Sequence, residues 1–564
     1  MAGWGMRRLV LALSGALVAM SGQAIPGEAI AAQVTVLTAA RIHTMETAQP
    51  KVQSLAYDES GRILALGDTA ELLGRYPKAR RIDAGQATVI PGLIDAHAHV
   101  SGLGMTMLSA DLVDAATKQE VVQRLKAFEK QLPAGAWLIG RGWDQNDWPE
   151  KSFPSAADLD AAFPDRPVWL ERIDGHAGWA NTAAMRAVKR ELSGDWQPDG
   201  GRIERDARKQ PTGIFVDGAT ALVDEARPPM DEATAERALA LGMQSAVEHG
   251  LTGVHDAGVS LAELKRYRHL ADRGEMPLRI TAMADGNNEA LESLCQHGLY
   301  THPSGRLQMR TLKLYADGAL GSRGAAMLKE YSDDHGNLGI MVTSPEQIAV
   351  AVEKARRCGV QVATHAIGDR GNHVVLETYA KALGKDATTT DHRWRIEHAQ
   401  VLSPADLPRL AQLHVIASMQ PTHATSDMPW AEDRVGPQRI IGAYAWRQLR
   451  DSGARLALGS DFPVESVDPR FGLHAATTRA DAQGLPAGGW FPQEKLTAFE
   501  ALRGFTLDAA YAGFAETQVG SLAVGKRADF VVLTEDPLAI PPNGLRNLTV
   551  QATYVDGKAV YQAK

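Results

Sequence analysis

Cysteine is nearly absent. The 564 residues include two, Cys295 and Cys358, and they form no CxxC pair. A zinc site of the usual four-ligand thiolate kind is thereby excluded, so any metal must be held by histidine, carboxylate or a less usual group. The spacing leaves open whether the two pair as a disulfide. An excess of one charge is also missing: 59 Lys and Arg against 67 Asp and Glu leave a formal net charge of −8. That balance, with no basic cluster interleaved with aromatics, argues against non-specific nucleic-acid binding. No GxGxxG follows the first strand-like segment, so an open doubly wound sheet lacks support. After the N-terminal apolar run, no second stretch is long enough to cross a bilayer.

What is there begins at the N-terminus. "MAGWGMRR" ends in two positive charges, "LVLALSGALVAM" is a short apolar run, and "SGQAIPGEAIAA" is rich in small residues. This is the three-part pattern of a secretory signal, assigned to residues 1–31, with cleavage after Ala24 or near Ala31. The alternative is an uncleaved anchor. No cysteine follows the run, which argues against a lipoprotein. The mature protein is expected to be exported, periplasmic in a Gram-negative cell, with no membrane span after cleavage. Residues that are 45% hydrophobic and 22% charged make an ordinary globular chain. Its length suits two to four domains, or one large barrel with additions.

Both ends read as short strands. "VTVLTA" and "SLAYDESGRILALG" lie in 33–90, and "GSLAVGKRADFVVL" and "VQATYVDGKAVYQ" near the C-terminus, the last with an Asp556-Gly557 hairpin turn. Neither end has enough strand to bury a core alone, so residues 32–90 and 511–564 are expected to form one composite β-domain. The middle, 91–510, has another rhythm. Short apolar runs end in polar or ionisable residues, and helix-compatible stretches lie between them, with Ser344 and Ser403, each followed by Pro, as candidate N-caps. Strands alternating with helices imply parallel βα units. The expected fold is α/β: a (β/α)8 TIM-like barrel, a small composite β-sandwich domain from the N- and C-terminal segments, and an insertion after the first barrel strand. Residues 110–230 fit the barrel rhythm poorly and are read as that insertion, a lid or binding wall.

The ionisable residues ending the apolar runs carry the chemistry. In "VIPGLIDAHAHV", His97 and His99 are one residue apart, so on a strand both imidazoles share a face. The bland alternative is two solvent-facing histidines on a half-exposed strand. Lys313, His365, His398 and Asp461 end later runs and would converge at the C-terminal mouth of a barrel. Imidazoles with a carboxylate and no thiolate make a catalytic zinc-type site that keeps open positions for water and substrate.

The ordered motifs "PGLIDAHAH", "GRGWD", "DGHAGWAN", "KLYADGALGSR", "HAIGDRG", "RIEHAQ", "QPTH", "GSDFPV" and "GSLAVGKRADFVVL" resemble the amidohydrolase superfamily, and within it the amidohydrolase 3 or YtcJ-like branch. The resemblance covers nearly the whole mature chain. It implies that His97, His99 and Asp461 bind one divalent ion and His365 and His398 a second. Zinc is the expected metal, and Lys313 would bridge the two ions as a carbamate. An unmodified ammonium has no lone pair for a cation. A Lys313–Asp317 salt bridge is the structural alternative, leaving a one-metal site of His97, His99, His365 and Asp461. The implied reaction is attack of metal-activated hydroxide on an amide-like carbonyl, with Asp461 as general base and then acid. His176, Arg323, Trp143, Asp144 and Gln420 are candidate substrate contacts. His255, His373 and His423 are read as structural.

The resulting expectation is a metal-dependent hydrolase acting on carbon–nitrogen, but not peptide, bonds of a small molecule. An esterase, lactonase or deaminase on the same site is an alternative. A non-catalytic exported binding or regulatory protein is another. A homodimer is left open.

Overall fold

The computed structural model describes residues 33–133, 135–286 and 288–564. The signal expected at 1–31 lies outside them. Eight parallel strands form the centre: β1 Leu93–Ala98, β2 Leu251–Val259, β3 Arg279–Ala284, β4 Leu307–Tyr315, β5 Gln361–Ala366, β6 Arg395–His398, β7 Ile416–Met419 and β8 Leu456–Leu458. Each pairs with its neighbour in sequence order, so the sheet curls into a nearly closed barrel. The strands are buried almost throughout, as strands of a parallel sheet covered by helices must be. The expected barrel is therefore present.

The seam between β1 and β8 is closed by side chain and backbone together. The buried Asp95 carboxylate accepts from Ser460 N at 3.0 Å and from Ser460 Oγ at 2.6 Å. Just beyond, Asp461 N donates to His97 O at 2.7 Å and His99 N to Phe462 O at 2.8 Å. The chain passes so close at Gly459 that a Cβ there would lie 2.4 Å from Asp95 Oδ1 and 2.6 Å from His97 N. Only glycine fits, which accounts for the first residue of "GSD".

The two chain ends share one eight-stranded sheet. Thr88–Pro91, leading into β1, pairs antiparallel with Phe530–Leu533, and the hairpin Val550–Val555/Lys558–Gln562 follows through the positive-φ pair Asp556-Gly557. The long strand Thr35–His43 pairs with Arg80–Asp83 along its first half and with Thr88–Pro91 along its second. Leu37, Ile42, Leu55, Val89, Phe530 and Tyr554 fill the core of this domain.

Between β1 and β2 the insertion forms its own six-stranded sheet. Trp143, Trp148 and Trp179 pack there with ring centroids about 6 Å apart, closing a separate hydrophobic core. The helix Pro345–Arg357 starts as expected. Ser344 Oγ accepts from Gln347 N and Gln347 Oε1 accepts from Ser344 N, a reciprocal cap. Ser403 differs: it opens a turn, and the helix begins at Leu407. Its hydroxyl donates to Asp406 Oδ2 at 2.7 Å instead of capping a backbone N–H.

Candidate active site

The C-terminal ends of the barrel strands place four imidazoles around one carboxylate. His97 and His99 leave the end of β1, His398 ends β6, and His423 lies in the first turn of the helix Pro421–Asp427 that follows β7. Asp461 comes just after β8. Its Oδ1 lies 3.5 Å from His97 Nε2 and 3.2 Å from His99 Nε2, while its Oδ2 lies 4.0 Å from His398 Nδ1 and 3.7 Å from His423 Nε2. Both His398 and Asp461 have positive φ, 72° and 63°. Non-glycine residues there are uncommon, and such strain gathers at functional sites.

Three of the imidazoles are oriented from behind. Glu397 Oε2 pairs with His97 Nδ1, the Ala257 carbonyl accepts from His99 Nδ1 at 2.9 Å, and Gln420 Oε1 accepts from His398 Nδ1 at 2.8 Å. With Nδ1 committed to an acceptor, each Nε2 keeps its lone pair. This is how metal-binding histidines are held. Burial and the nearby Lys313 hold His97 down to about 4, and burial holds His398 and His365 well below the ordinary imidazole value. All three are neutral near pH 7, the state in which imidazole binds a cation.

The separations fit such a cation. Donor atoms around a tetrahedral ion with bonds of about 2.0–2.1 Å lie roughly 3.3 Å apart. The His97–Asp461 and His99–Asp461 distances of 3.5 and 3.2 Å bracket that value. Lys313 reaches the same place from β4, its Nζ 3.1 Å from His97 Nε2. Burial lowers Lys313 to about 8 against the pull of Glu397 and Asp461, leaving a reactive fraction of neutral amine at neutral pH. The alternative Lys313–Asp317 salt bridge is not what holds this lysine. Asp317 instead accepts the backbone N–H groups of Ala326, Ile367 and Gly368.

His365 lies beside the cluster, its ring centroid 4.6 Å from that of His398. Its Nε2 is turned to Gly318 O at 3.4 Å and toward Asp317 at 3.7 Å. His176 reaches in from the insertion, 5.2 Å from the His365 ring, and its Nδ1 pairs with Asp217 at 2.7 Å. Burial pulls His176 down, but the Asp217 contact outweighs it and lifts the imidazole to about 9.

A two-lobed cleft opens over these groups. The wider lobe, about 830 Å³, runs between the insertion and the barrel loops, and the narrower, about 490 Å³, reaches His97, His99 and Lys313. His176, His365, His398 and Asp461 line both. The insertion supplies Arg141, Asp144, Asp174 and His176 to the walls.

Other sequence expectations need correction. Trp143 is not a substrate contact: it is fully buried in the insertion core and its Nε1 donates to Leu170 O. Arg323 lines neither lobe and is paired with Asp333 at 2.9 Å. Gln420 stands behind His398 and lines neither lobe. His423, read as structural, lines the cleft beside Asp461. His255 and His373 do make structural contacts, with Arg395 and Asp406. Glu397 and Asp95 carry no signal of their own in the sequence, although Glu397 precedes His398 and Asp95 lies two residues before His97.

A barrel whose strand ends gather imidazoles about a shared carboxylate carries the donor set of a cation site. Sequence and structural relatives narrow the class. The profile of the Amidohydrolase family matches residues 80–561. The YtcJ protein of Bacillus subtilis (strain 168) is 34% identical over 92% of this chain and 98% of its own length. An N-substituted formamide deformylase of Arthrobacter pascens is 29% identical over 93% of this chain and 97% of its own. The crystal structure of a metal-dependent hydrolase from Pyrococcus horikoshii OT3 matches with a TM-score of 0.73 at 27% identity, over 90% of this chain and 99% of that one. The chain belongs to the amidohydrolase family and is an enzyme, as its motifs imply.

Proposed function

We propose that this enzyme hydrolyses a carbon–nitrogen bond of a small amide-like molecule, an N-substituted formamide or N-acyl amine, at the His97–His99–Asp461 site. The observation that carries the reading is the set of committed Nδ1 atoms, which leaves the Nε2 lone pairs of His97, His99 and His398 for a cation. A bound divalent ion, zinc being the one expected, lowers the pKa of a water toward neutrality and polarises a carbonyl oxygen. His97, His99 and Asp461 would hold one ion, and His398 with His365 a second. Lys313, as its neutral amine, would add CO₂, forming an N–C bond and releasing a proton. The resulting carbamate would supply two oxygen donors where the ammonium has none.

The chain's own groups complete the reaction. Asp461 accepts a proton from the attacking water as its oxygen bonds to the carbonyl carbon. It then returns that proton to the nitrogen as the C–N bond breaks. Its carboxylate is in the ionised form that can take up a proton. Burial raises it, but the surrounding imidazoles hold it well below the ordinary range, so it stays ionised. Lobes of about 830 and 490 Å³ match a small-molecule substrate. The relative that deformylates N-substituted formamides supports the choice of substrate. A panel of N-substituted formamides, N-acyl amino acids and the corresponding esters tests it. Turnover of the amides above the esters is expected; turnover of esters alone would replace this reading with an esterase.

The same proposal places the mature enzyme outside the cytoplasm. The N-terminal signal pattern supports it, as does the Cys295–Cys358 disulfide, a bond that persists in oxidising compartments. Among the described residues no helix is long and apolar enough to cross a membrane. Intact mass of exported protein should lack at least the first 23 residues.

A further inference from the structure

The wider lobe of the cleft carries more negative charge than its own cations balance. Besides Asp461, seven carboxylates line it, against one arginine, Arg141. Arg141 is already engaged: its Nε, Nη1 and Nη2 donate to Glu171, Pro463 O and Ile173 O. His176 on the same wall is held by Asp217. Asp144 and Asp174 share the buried Arg172, so the three retain one negative charge. Asp427 and Glu465 pair with no arginine or lysine among the described residues. Asp427 Oδ2 accepts from Tyr444 Oη at 2.6 Å and Gln400 Nε2 at 3.0 Å, and Glu465 Oε1 accepts from Ser426 Oγ at 2.6 Å. Asp427 Oδ1 and Glu465 Oε2 are left without a hydrogen-bond donor among those residues. Burial raises both carboxyls, Asp427 to about 7, a cost that a neighbouring cation offsets.

A second observation puts a ligand in this lobe. His423 is only 8% exposed, yet its Nε2 has no hydrogen-bond partner among the described residues. A buried polar nitrogen is seldom left unpaired, so a polar ligand atom is needed there. His423, Asp427 and Glu465 line only the wider lobe, whereas Asp461 lines both. Asp427 lies one turn along the helix from His423, and Glu465 four residues beyond Asp461. We propose that the wider lobe seats an ammonium group, and that the substrate is a mono-N-acylated aliphatic diamine whose free ammonium donates to Glu465 Oε2 and Asp427 Oδ1. This names the substrate of the proposed hydrolysis and rests on that reading. The amide then lies toward Asp461, within reach of His423. Ile173, Leu320 and Val464 line the same lobe and suit the methylenes of the chain. A carboxylate in place of the ammonium is repelled by the walls and finds no free guanidinium.

The test compares N-formyl-diaminobutane, N-formyl-pentylamine and N-formyl-aminopentanoate, which end the same four-carbon chain in an ammonium, a methyl or a carboxylate. The expected order of kcat/KM is ammonium, methyl, carboxylate. The first step should be at least about tenfold, the scale of one hydrogen bond to a charged group. Glu465→Gln and Asp427→Asn keep the shape and remove the charge. In each, the ratio of kcat/KM for the ammonium compound to that for the methyl compound should fall toward one. A ratio within one protein is not moved by a general loss of activity. Wild-type turnover of the methyl compound equal to or above the ammonium compound overturns the inference, as does a ratio unchanged in both variants. Should neither variant fold, the wild-type comparison decides alone. Failure of the proposed function looks different: none of the three is hydrolysed. The same compounds are then titrated calorimetrically into the exported protein. Binding of the ammonium compound at least about tenfold tighter than the methyl compound, lost in E465Q or D427N, keeps the seat; equal binding overturns it.

Discussion

Replacing Gln420 by Leu removes the acceptor that holds His398 Nδ1 and leaves the cleft walls unchanged. The His398 ring is then free to flip or change tautomer. Metal affinity should fall roughly 10–100-fold, the usual loss when a ligand's supporting partner is removed. A zinc titration that matches the wild type would show that Gln420 holds nothing. Lys313 invites a sharper comparison. Lys313→Arg should be inactive, because guanidinium stays charged and cannot add CO₂. Lys313→Ala should also lose activity but regain part of it with a short carboxylic acid in the buffer, whose oxygens occupy the vacated space. Full activity in K313R would remove the carbamate from the account. At this scale the sequence makes legible the residues that end apolar runs, His97, His99, Lys313, His365, His398 and Asp461. His423 escapes it by sitting in the first turn of a helix, where strand alternation gives no signal. Arg323 and Trp143 mislead because a motif shows that a residue is used without showing which way its side chain points. The two turn to a salt bridge and to a hydrophobic core.

Among the elements, the C-terminal hairpin turn is fastened to the barrel by charge. Asp556 pairs with Arg279, the first residue of β3, at 2.6 Å, and with Arg306 at 3.0 Å. Burial raises the Asp556 carboxyl, but Arg279 and then Arg306 outweigh it and hold it below its ordinary value. A depressed folded pKa gives stability that is complete above the unfolded value near 3.9 and is lost as pH falls through the folded one. Asp556→Asn should therefore weaken docking by about 1.5–3 kcal/mol at neutral pH, the range for hydrogen bonds to charged groups. It should also flatten the acid limb of unfolding below about pH 4. Near-UV circular dichroism across an acid titration checks this. An acid limb as steep in D556N as in the wild type would assign it to other carboxylates. The strand ends and the Asp556-Gly557 turn are legible because alternation and turn chemistry are local. The Ser403 cap is not, because Asp406 competes for its hydroxyl through a contact that spacing alone does not reveal.

Over the whole molecule, the site is assembled from residues more than 360 positions apart, and each large piece has a share in it. The barrel supplies the strand ends, the insertion supplies a wall with Arg141 and His176, and the composite β-domain packs beneath through Val531, Leu533 and Val550. Outside the barrel, the disulfide ties the helix Asn288–His297 to the end of the helix Pro345–Arg357 across 63 residues of chain. A loop of that length corresponds to about 4 kcal/mol in the chain-entropy account. The double variant Cys295→Ser/Cys358→Ser should lose thermal stability while keeping its metal and its turnover. Equal melting of both proteins would show the bond to be incidental.

The central claim is that the barrel mouth works through a bound cation. Turnover of the best amide from the panel, followed through chelation and stepwise return of zinc, tests it most directly. The account predicts loss of turnover by at least about 100-fold on chelation, with recovery as zinc fills the His97–His99–Asp461 seat. Undiminished turnover by fully chelated protein would contradict it.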